Sequence, residues 1–257
     1  MLAFVHIPKT AGSSTNLILR SSFGIHHCDV KRLNMKNTFF SSDDFKLTKK
    51  LWPFNIKSIA SHELSPLSDL ASSIPNIKYY TFLRNPIDRC ISHYQYHRQR
   101  TGDTIPLEEW IKSPDMQNLQ TGFFSENKES KEALETLEKK MFFVGITEDF
   151  KFCMEMLNKL SGEKILTQIN ANRNTAYDNT IKKEIMNSKK LISIIKENNQ
   201  EDIIIYNKYK EIILNEKNST VFNKNNNKHH NKQINNYANI LTRNIIYKPL
   251  TKIAKSN

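Results

Sequence analysis

One segment near the start of the chain, PKTAGSS (Pro8–Ser14), groups a lysine with small and hydroxyl residues directly behind an apolar run. Small side chains let backbone N–H groups approach an anion closely, hydroxyls can donate to it, and a lysine adds a full positive charge. Lys9 precedes Gly12, the single glycine of the segment, whereas a Walker A loop places its lysine after the second glycine. The pattern predicts a cradle for a phosphate or sulfate group, formed by Lys9, Thr10, Ala11, Gly12, Ser13 and Ser14. The alternative is an ordinary strand-to-helix turn that carries a surface lysine.

A second candidate anion site begins at Arg84, which ends another apolar run, and includes Ser92 eight residues further along, with Arg89 between them. A guanidinium fork and a hydroxyl at the carboxyl edge of a sheet suit a phosphate group. Two such sites on separate turns indicate a ligand that is phosphorylated at both ends. The alternative pairs Arg84 with a nearby carboxylate such as Asp88.

A histidine, His62, ends a third apolar run. Imidazole titrates near neutral pH, so it can take the proton from a hydroxyl that attacks an electrophile. Glu63 is the neighbouring alternative for the same role. His6 precedes the cradle and either faces it or fills the core behind it.

These candidate residues follow segments that read as buried strands. Met1–Ile7 is a short apolar run ended by a proline, and Ser13 or Ser14 is then expected to cap a helix that continues to Gly24. Ile56–His62 and Ile77–Arg84 are further strand candidates because they are rich in β-branched and aromatic residues. After the last of these, Asn85 and Pro86 supply an N-cap and a first helical residue, and no breaker follows until Gly102.

The second half of the chain is predicted to be mainly helical. Helices are expected in IPLEEWIKS, SKEALETLEKKM and EDFKFCMEMLNKLS, with FFVGI as a further strand candidate. Residues 164–180 read as a loop, and residues 181–216 read as helical with a break near Asn198–Gln200. Strands separated by helical stretches predict an α/β fold with a parallel sheet, in which ligands bind at the carboxyl ends of the strands.

The net charge of +12 is unevenly distributed. Residues 217–257 hold eight Lys or Arg and no Asp or Glu, which leaves only +4 on residues 1–216. A basic, Asn-rich tail is typical of a solvated appendage rather than of a sequence-specific reader of nucleic acid. Nucleic acid is therefore not the expected partner. A stretch of the tail, YANILTRNIIYKPLTKIAK, offers an alternative contact with anionic lipid or an acidic glycan.

The cysteines and the hydropathy indicate in which cellular compartment the protein is expected. Cys28, Cys90 and Cys153 lie far apart, in a spacing that predicts neither a disulfide framework nor a zinc site. No window approaches the ~18 uninterrupted apolar residues of a membrane span. We therefore expect a cytoplasmic protein, with contact between the tail and a membrane surface as the open alternative.

Several motifs resemble those of a known family. HIPKTAGSS resembles the 5′-phosphosulfate loop, and YYTFLRNPIDRCISHYQYHR the 3′-phosphate motif, of the carbohydrate sulfotransferases typified by heparan sulfate 2-O-sulfotransferase and its bacterial relatives. IASHELSPL is similar to the segment that holds the family's catalytic histidine. Later landmarks are resembled in the same order by MQNLQTGFFS, FFVGITEDFKFCMEML and NNQEDIIIYNKYKEI. The resemblance covers roughly Met1 to Leu214.

The resemblance implies a P-loop-like, three-layer α/β fold with a helix-rich C-terminal half. It implies an enzyme that moves a sulfuryl group, without a metal, from 3′-phosphoadenosine 5′-phosphosulfate to a hydroxyl of a carbohydrate or glycolipid. Residues 1–216 would form the sulfotransferase domain and residues 217–257 a basic tail. A P-loop kinase-like nucleotide phosphotransferase and a basic nucleic-acid-binding module are the alternatives.

The resemblance also implies roles for individual residues. Lys9 would contact the phosphosulfate bridge, and the residues from Thr10 to Ser14 would hold the 5′-phosphate. Arg84 and Ser92 would bind the 3′-phosphate, and His62 would be the general base. Arg173, in the segment NANRNT, would reach the donor from the loop-rich region.

Overall fold

A computed structural model gives the fold of the chain and describes residues 1–33, 37–167 and 179–219. These ranges contain one five-stranded sheet with the strand order β2-β3-β1-β4-β5, in which every neighbouring pair is parallel. The strands are β1 (Leu2–Val5), β2 (His27–Asp29), β3 (Ser58–Ser61), β4 (Lys78–Leu83) and β5 (Met141–Ile146). Helices flank this sheet, so the predicted α/β fold with a central parallel sheet is confirmed.

With one exception, α2, the helices lie in the predicted segments. They are α1 (Gly12–Phe23), α2 (Ser42–Leu51), α3 (Pro86–Thr101), α4 (Leu107–Trp110), α5 (Ser130–Lys140), α6 (Phe150–Ser161), α7 (Asn179–Asn187), α8 (Lys189–Glu197) and α9 (Gln200–Ser219). The predicted start of α3 is confirmed, because the Asn85 side chain accepts from the N–H groups of Ile87 and Asp88. Residues 181–216 contain a second break, at Ser188, whose side chain caps α8. Residues 220–257, the greater part of the predicted tail, lie outside the described residues.

Two elements were missing from the predictions. The edge strand β2 has the sequence HCD, which carries no strand pattern of its own, and it is defined by pairing with β3. Helix α2 has a readable signal, a capping box in which the Ser41 hydroxyl accepts from the backbone of Asp44 and the Asp44 carboxylate accepts from Ser41.

The buried strands explain why the apolar runs were readable. Every residue of β1 is at most 2% exposed, as expected for a parallel strand covered on both faces. A second apolar cluster packs one side of α3 against α4, α7 and α8; its buried members include Cys90, Ile91, Tyr94, Trp110, Ile185 and Ile195. In the part of the chain described, no helix combines the length and apolarity that crossing a membrane requires.

The strand order places a ligand crevice beside β1. The chain leaves β1 for β2 at one edge of the sheet, then returns through β3 and β4 to β5 at the other edge. Because crossovers between parallel strands are right-handed, the connections that leave β1 and β4 lie on opposite faces. Ligands of open α/β sheets bind where this direction changes, outside the carboxyl ends of the strands. The loops that begin there carry Lys9, His62 and Arg84.

Phe82 is the residue through which the stability of this core can be tested. It is fully buried on β4, and its ring lies against those of Phe4, Phe143 and Phe150. We expect Phe82→Ala to lower the free energy of unfolding by about 3–5 kcal/mol, because it leaves a cavity that the sheet cannot close. Urea denaturation measures this. Leu160→Ala, at a side chain 54% exposed on α6, is the control and should change it by less than about 0.5 kcal/mol.

Candidate anion-binding and transfer site

The loop between β1 and α1 has an unusual backbone. Lys9 and Ala11 both have positive φ, 67° and 63°, in the left-handed region that costs a non-glycine residue about 1–2 kcal/mol. Left-handed residues are the elements from which anion-binding nests of N–H groups are built. Ala11 is the N-cap of α1 and makes no side-chain cap hydrogen bond. The first N–H groups of α1 therefore have no partner from the cap side chain, as an anion site requires.

The predicted capping of α1 is wrong. We expected Ser13 or Ser14 to cap the helix, but the left-handed turn at Ala11 starts the helix earlier, at Gly12. The two serines therefore lie in the first turn, where Ser13 is exposed and Ser14 is half-buried. Their hydroxyls thus stand at the helix end where an anion would bind.

Thr10 stabilises the loop from within. Its side chain is fully buried, and its hydroxyl donates to the carbonyl of Ile7 at 3.0 Å. The proton that we expected Thr10 to donate to an anion is thus used inside the loop. Its role toward a ligand stays a prediction that rests on its backbone N–H.

His6 and His62 lie against each other beside this loop. Their ring centroids are 3.7 Å apart and the rings are tilted by 27°. The His6 ring also lies against Gly12, where a Cβ would be only 1.6 Å from His6 Nε2. Gly12 is therefore required for the close packing of the start of α1 on His6. The ring of His6 lies on the cradle side, which answers the question that the sequence left open.

The hydrogen bond of His62 determines which of its nitrogens can act as a base. His62 Nδ1 lies 2.6 Å from the carbonyl oxygen of His6. A carbonyl only accepts, so Nδ1 carries the proton and the neutral ring leaves its lone pair on Nε2. Burial of the protein-facing part of the ring lowers the pKa of His62, although this hydrogen bond and the nearby Glu63 act in the opposite direction. The side chain remains exposed enough for a substrate to reach it.

Glu63, the alternative base, is held by Arg32. One carboxylate oxygen accepts from the backbone N–H of Arg32 at 2.5 Å, and the other lies 3.5 Å from Arg32 Nε. Both carboxylate oxygens of Glu63 are therefore turned toward Arg32. These contacts favour His62 over Glu63 for proton abstraction.

The two candidate anion motifs are in direct contact. Arg84 donates through Nη1 to the carbonyl of Lys9 at 3.1 Å, and Lys9 Nζ lies 4.5 Å from the centroid of the Tyr96 ring on α3. Asp88, the carboxylate that we considered as a partner for Arg84, forms an ion pair with Lys182 at 3.1 Å. Ser92 is half-buried on α3. The structure thus brings Lys9 and Arg84 together and places Ser92 on the helix that follows Arg84.

Gln120 holds the backbone of Arg84 and was not identified from the sequence. Its amide accepts from Arg84 N–H at 2.9 Å and donates to Arg84 C=O at 3.0 Å. The N–H of Gln120 donates to Asp202, in the first turn of α9, at 3.1 Å. The backbone N–H and the hydroxyl of Thr121 donate to the same carboxylate, both at 2.8 Å. Arg84 is therefore positioned by a chain of buried polar groups.

Arg89 completes this network. It is fully buried, with Nε 3.9 Å from a carboxylate oxygen of Asp202, which is also fully buried. The only sign of this role in the sequence is the presence of charged residues within the apolar patterns of α3 and α9. Arg89, which lies between Arg84 and Ser92 in the sequence, thus belongs to the interior.

The remaining sequence predictions concern Arg173, the cysteines and metal binding. Arg173 lies outside the described residues, so its predicted contact stays a prediction. The three cysteines are buried and free. Within the described ranges, no group of three or more His, Cys, Asp or Glu side chains is arranged to hold a metal ion.

Comparison with known proteins identifies no family. No protein-family model matches the chain, and no curated protein matches it significantly. Among solved structures, the crystal structure of a sulfotransferase from Alicyclobacillus acidocaldarius matches with a TM-score of 0.41 and 11% sequence identity. The match covers 77% of this chain and 95% of that chain. A likeness this distant assigns no activity.

The hydrogen bond of His62 leads to a spectroscopic prediction. At neutral pH, two-bond ¹H–¹⁵N correlation spectra should assign the proton of His62 to Nδ1, because the His6 carbonyl can only accept. His6, whose pKa is lowered to about 3 by burial and then by His62, should show no titration between about pH 8 and pH 5. A proton on Nε2 of His62 would contradict the assignment of the base.

The buried pair of Arg89 and Asp202 predicts that removing the Asp202 carboxylate lowers the stability of the protein much more than removing that of Asp88. Asp202→Ala should lower the free energy of unfolding by about 3–5 kcal/mol, because Arg89 would remain buried without its carboxylate. Asp88→Ala, which removes the partly exposed pair with Lys182, should cost about 1 kcal/mol or less. Urea denaturation of both variants measures this, and equal losses would show that the Asp202 network contributes no more than a surface pair.

Proposed function

We propose that this protein transfers a sulfuryl group from 3′-phosphoadenosine 5′-phosphosulfate to a hydroxyl of a carbohydrate or glycolipid. The observation that carries the proposal is that Arg84 contacts the Lys9 carbonyl, while His62 stacks on His6, which packs against Gly12 at the start of α1. Two cationic sites next to a neutral imidazole suit a donor with two phosphates and an acceptor that must lose a proton. The motif resemblance points to the same reaction.

The residues present fit this donor. The N-terminus of α1, with its left-handed entry at Ala11, would bind the 5′-phosphate through backbone N–H groups and the hydroxyls of Ser13 and Ser14. Arg84 and Ser92 would bind the 3′-phosphate. A ligand with a single phosphate would leave one of these two sites without a partner. The bound donor supplies a sulfuryl group activated by its bond to phosphate.

Lys9 and His62 would act on opposite sides of the transferred group. The ammonium of Lys9 would offset the negative charge that develops on the leaving phosphate oxygen. His62 Nε2 would accept the proton of the attacking hydroxyl, because its Nδ1 is already committed to the His6 carbonyl. The lowered pKa of His62 keeps this nitrogen unprotonated near neutral pH.

The position of Lys9 argues against the kinase-like alternative. A P-loop phosphotransferase needs its lysine after the second glycine to reach the β- and γ-phosphates, whereas here Lys9 precedes Gly12. Metal-dependent turnover of ATP by the purified protein would favour that alternative. The carbohydrate nature of the acceptor rests on the motif resemblance and is tested by the choice of acceptors in a transfer assay.

The proposal is tested by separating binding from turnover. Calorimetry should detect binding of 3′,5′-adenosine bisphosphate to the wild-type protein, and radiolabelled sulfate should be transferred to glycans of the source organism. His62→Ala should reduce transfer by about 10²–10⁴-fold, the usual contribution of a general base, and should leave bisphosphate affinity unchanged.

The matched control is His26→Ala. His26 precedes β2, so it lies at the amino ends of the strands, whereas the candidate site lies at their carboxyl ends. Its ring nitrogen Nδ1 is hydrogen-bonded to the Asn55 carbonyl. This variant should retain wild-type transfer. If the wild-type protein does not bind the bisphosphate, the proposed function is wrong. If the wild-type protein binds it and His62→Ala retains full transfer, the proposed function stands and only the base assignment is wrong.

A further inference from the structure

The backbone of His6 is fixed to the segment that carries the candidate base. The N–H of His6 donates to the Ser61 carbonyl at 3.0 Å, and the carbonyl of His6 accepts from Nδ1 of His62 at 2.6 Å. Ser61 is the last residue of β3, and His62 follows it directly. The end of β1 and the loop after β3 are therefore joined through both backbone groups of one residue.

The ring of His6 stacks on His62 and is supported from the core. The centroids of the His6 and His62 rings are 3.7 Å apart, with a tilt of 27°. Phe4, two residues earlier on the same face of the strand, stacks on His6 at 5.4 Å with a tilt of 17°. The Phe4 ring stacks in turn on that of Tyr80 at 5.2 Å, and both are fully buried. The ring of His62 is thus the outer end of a series of four stacked rings.

The Nε2 end of the His6 ring lies on Gly12, the first residue of α1. A Cβ at position 12 would be 1.6 Å from His6 Nε2 and 1.9 Å from its Cδ2. Gly12 is helical and is not among the glycines with positive φ, so its backbone conformation is open to other residues. The space taken by the His6 ring therefore requires the glycine, and the same ring contacts both the cradle and the base.

The cradle loop has internal bonds that do not involve the side chain of His6. The Thr10 hydroxyl donates to the Ile7 carbonyl at 3.0 Å, and Arg84 Nη1 donates to the Lys9 carbonyl at 3.1 Å. These bonds hold the loop in place from two sides. A change of the His6 ring should therefore affect the position of the base more than the shape of the cradle.

We propose that His6 is a positioning residue, whose ring keeps Nε2 of His62 aligned with a donor bound at the start of α1. This inference rests on the proposed function. The base and the donor site lie on different loops, yet the transfer needs them in one fixed geometry, and a misplacement of about 1 Å can cost about 100-fold in rate. The His6 ring touches Gly12 on one loop and His62 on the other, so it sets the spacing between them.

The transfer step moves no proton through His6. The acceptor hydroxyl loses its proton to His62 Nε2 as the new O–S bond forms. The S–O bond to the phosphate breaks, and its electron pair remains on the phosphate oxygen, whose charge Lys9 offsets. His6 contributes a flat surface that prevents the ring of His62 from turning about its hydrogen bond to the His6 carbonyl.

Two replacements of His6 test whether the flat ring or its nitrogens matter. Thienylalanine keeps a five-membered aromatic ring of nearly the same size but has no ring nitrogen, whereas His6→Leu removes the flat ring and keeps an apolar side chain. The thienylalanine variant should retain kcat within about threefold, and His6→Leu should lower kcat by about 100-fold, because the base is misplaced. The Kd for 3′,5′-adenosine bisphosphate should stay within about twofold in both, because the cradle is held by its own bonds.

The ring signals of His62 test the same contact without turnover. In the ligand-free wild-type protein and the thienylalanine variant, two-bond ¹H–¹⁵N correlation spectra should show the His62 proton fixed on Nδ1. In His6→Leu the ring of His62 can turn, so its two tautomers should exchange. Gly12→Ala should also shift the His62 signals, because the added Cβ displaces the His6 ring. Ser13→Ala, at the exposed next residue, is the control and should leave them unchanged.

His26→Leu is the matched control for the change at His6. It makes the same substitution at the amino ends of the strands, so it should keep the wild-type kcat and the wild-type signals of His62. Thermal denaturation midpoints establish that each variant folds.

Each of three results would overturn the positioning role. The first is a thienylalanine variant as slow as His6→Leu, which would show that a nitrogen of His6 acts in the reaction. The second is a His6→Leu variant that keeps the wild-type kcat, or whose kcat and bisphosphate affinity fall together. The third is a Gly12→Ala variant with unchanged His62 signals. All three leave binding and transfer by the wild-type protein intact; if the wild-type protein shows neither, the proposed function fails and this inference fails with it.

Discussion

The site depends on one constraint of the sheet, the pairing of β1 with β3 on one side and with β4 on the other, all in the same direction. Leu2 is opposite both Ser58 and Lys78, so the three strands begin at the same level; β1 and β3 also end together, and β4 continues two residues further. Two further bonds hold these ends together, from His6 N–H to the Ser61 carbonyl and from the Thr81 hydroxyl to the Val5 carbonyl. Parallel pairing therefore brings three loops that are distant in sequence to one edge.

A buried polar network holds the loop after β4 in place. Asp202 on α9 binds the segment of Gln120, and Gln120 holds both backbone groups of Arg84. Burying Arg89 and Asp202 carries a desolvation cost that their mutual attraction need not exceed, so the presence of the pair is weak evidence for net stability. The helical C-terminal half thus determines where Arg84 is held at the carboxyl end of β4.

The histidines His6, His62 and His93 differ because their partners differ. His6 is packed between Gly12 and the ring of His62, and burial favours its neutral form. His62 has a carbonyl at Nδ1, which leaves Nε2 as an acceptor, whereas His93 has a guanidinium at Nδ1, which leaves Nε2 as a donor. The same side chain can therefore supply a base at one position and a hydrogen-bond donor at another. The partner at Nδ1 makes the difference.

Local patterns in the sequence determined much of the architecture. Apolar runs ended by polar residues predicted β1, β3, β4 and β5, and Asn85 with Pro86 predicted the start of α3, because burial and capping leave local signals. The composition of the segment from Lys9 to Ser14 likewise indicated an anion cradle. The pattern of β2 was too short to indicate a strand. The left-handed turn that moves the start of α1 to Gly12 could not be predicted either, because position 11 is an alanine and not the glycine that usually marks such a turn.

Tertiary structure alone decided the rest. The contact of Arg84 with the Lys9 carbonyl, the stacking of His6 on His62 and the position of Gln120 all join residues that are far apart in the chain. Which nitrogen of each histidine carries a proton, and whether Glu63 is paired, follow from those contacts. The types of residue determined which chemistry was available to this protein, and parallel strand pairing with a buried charged network determined which groups meet, because long-range contacts leave no periodic trace in the sequence.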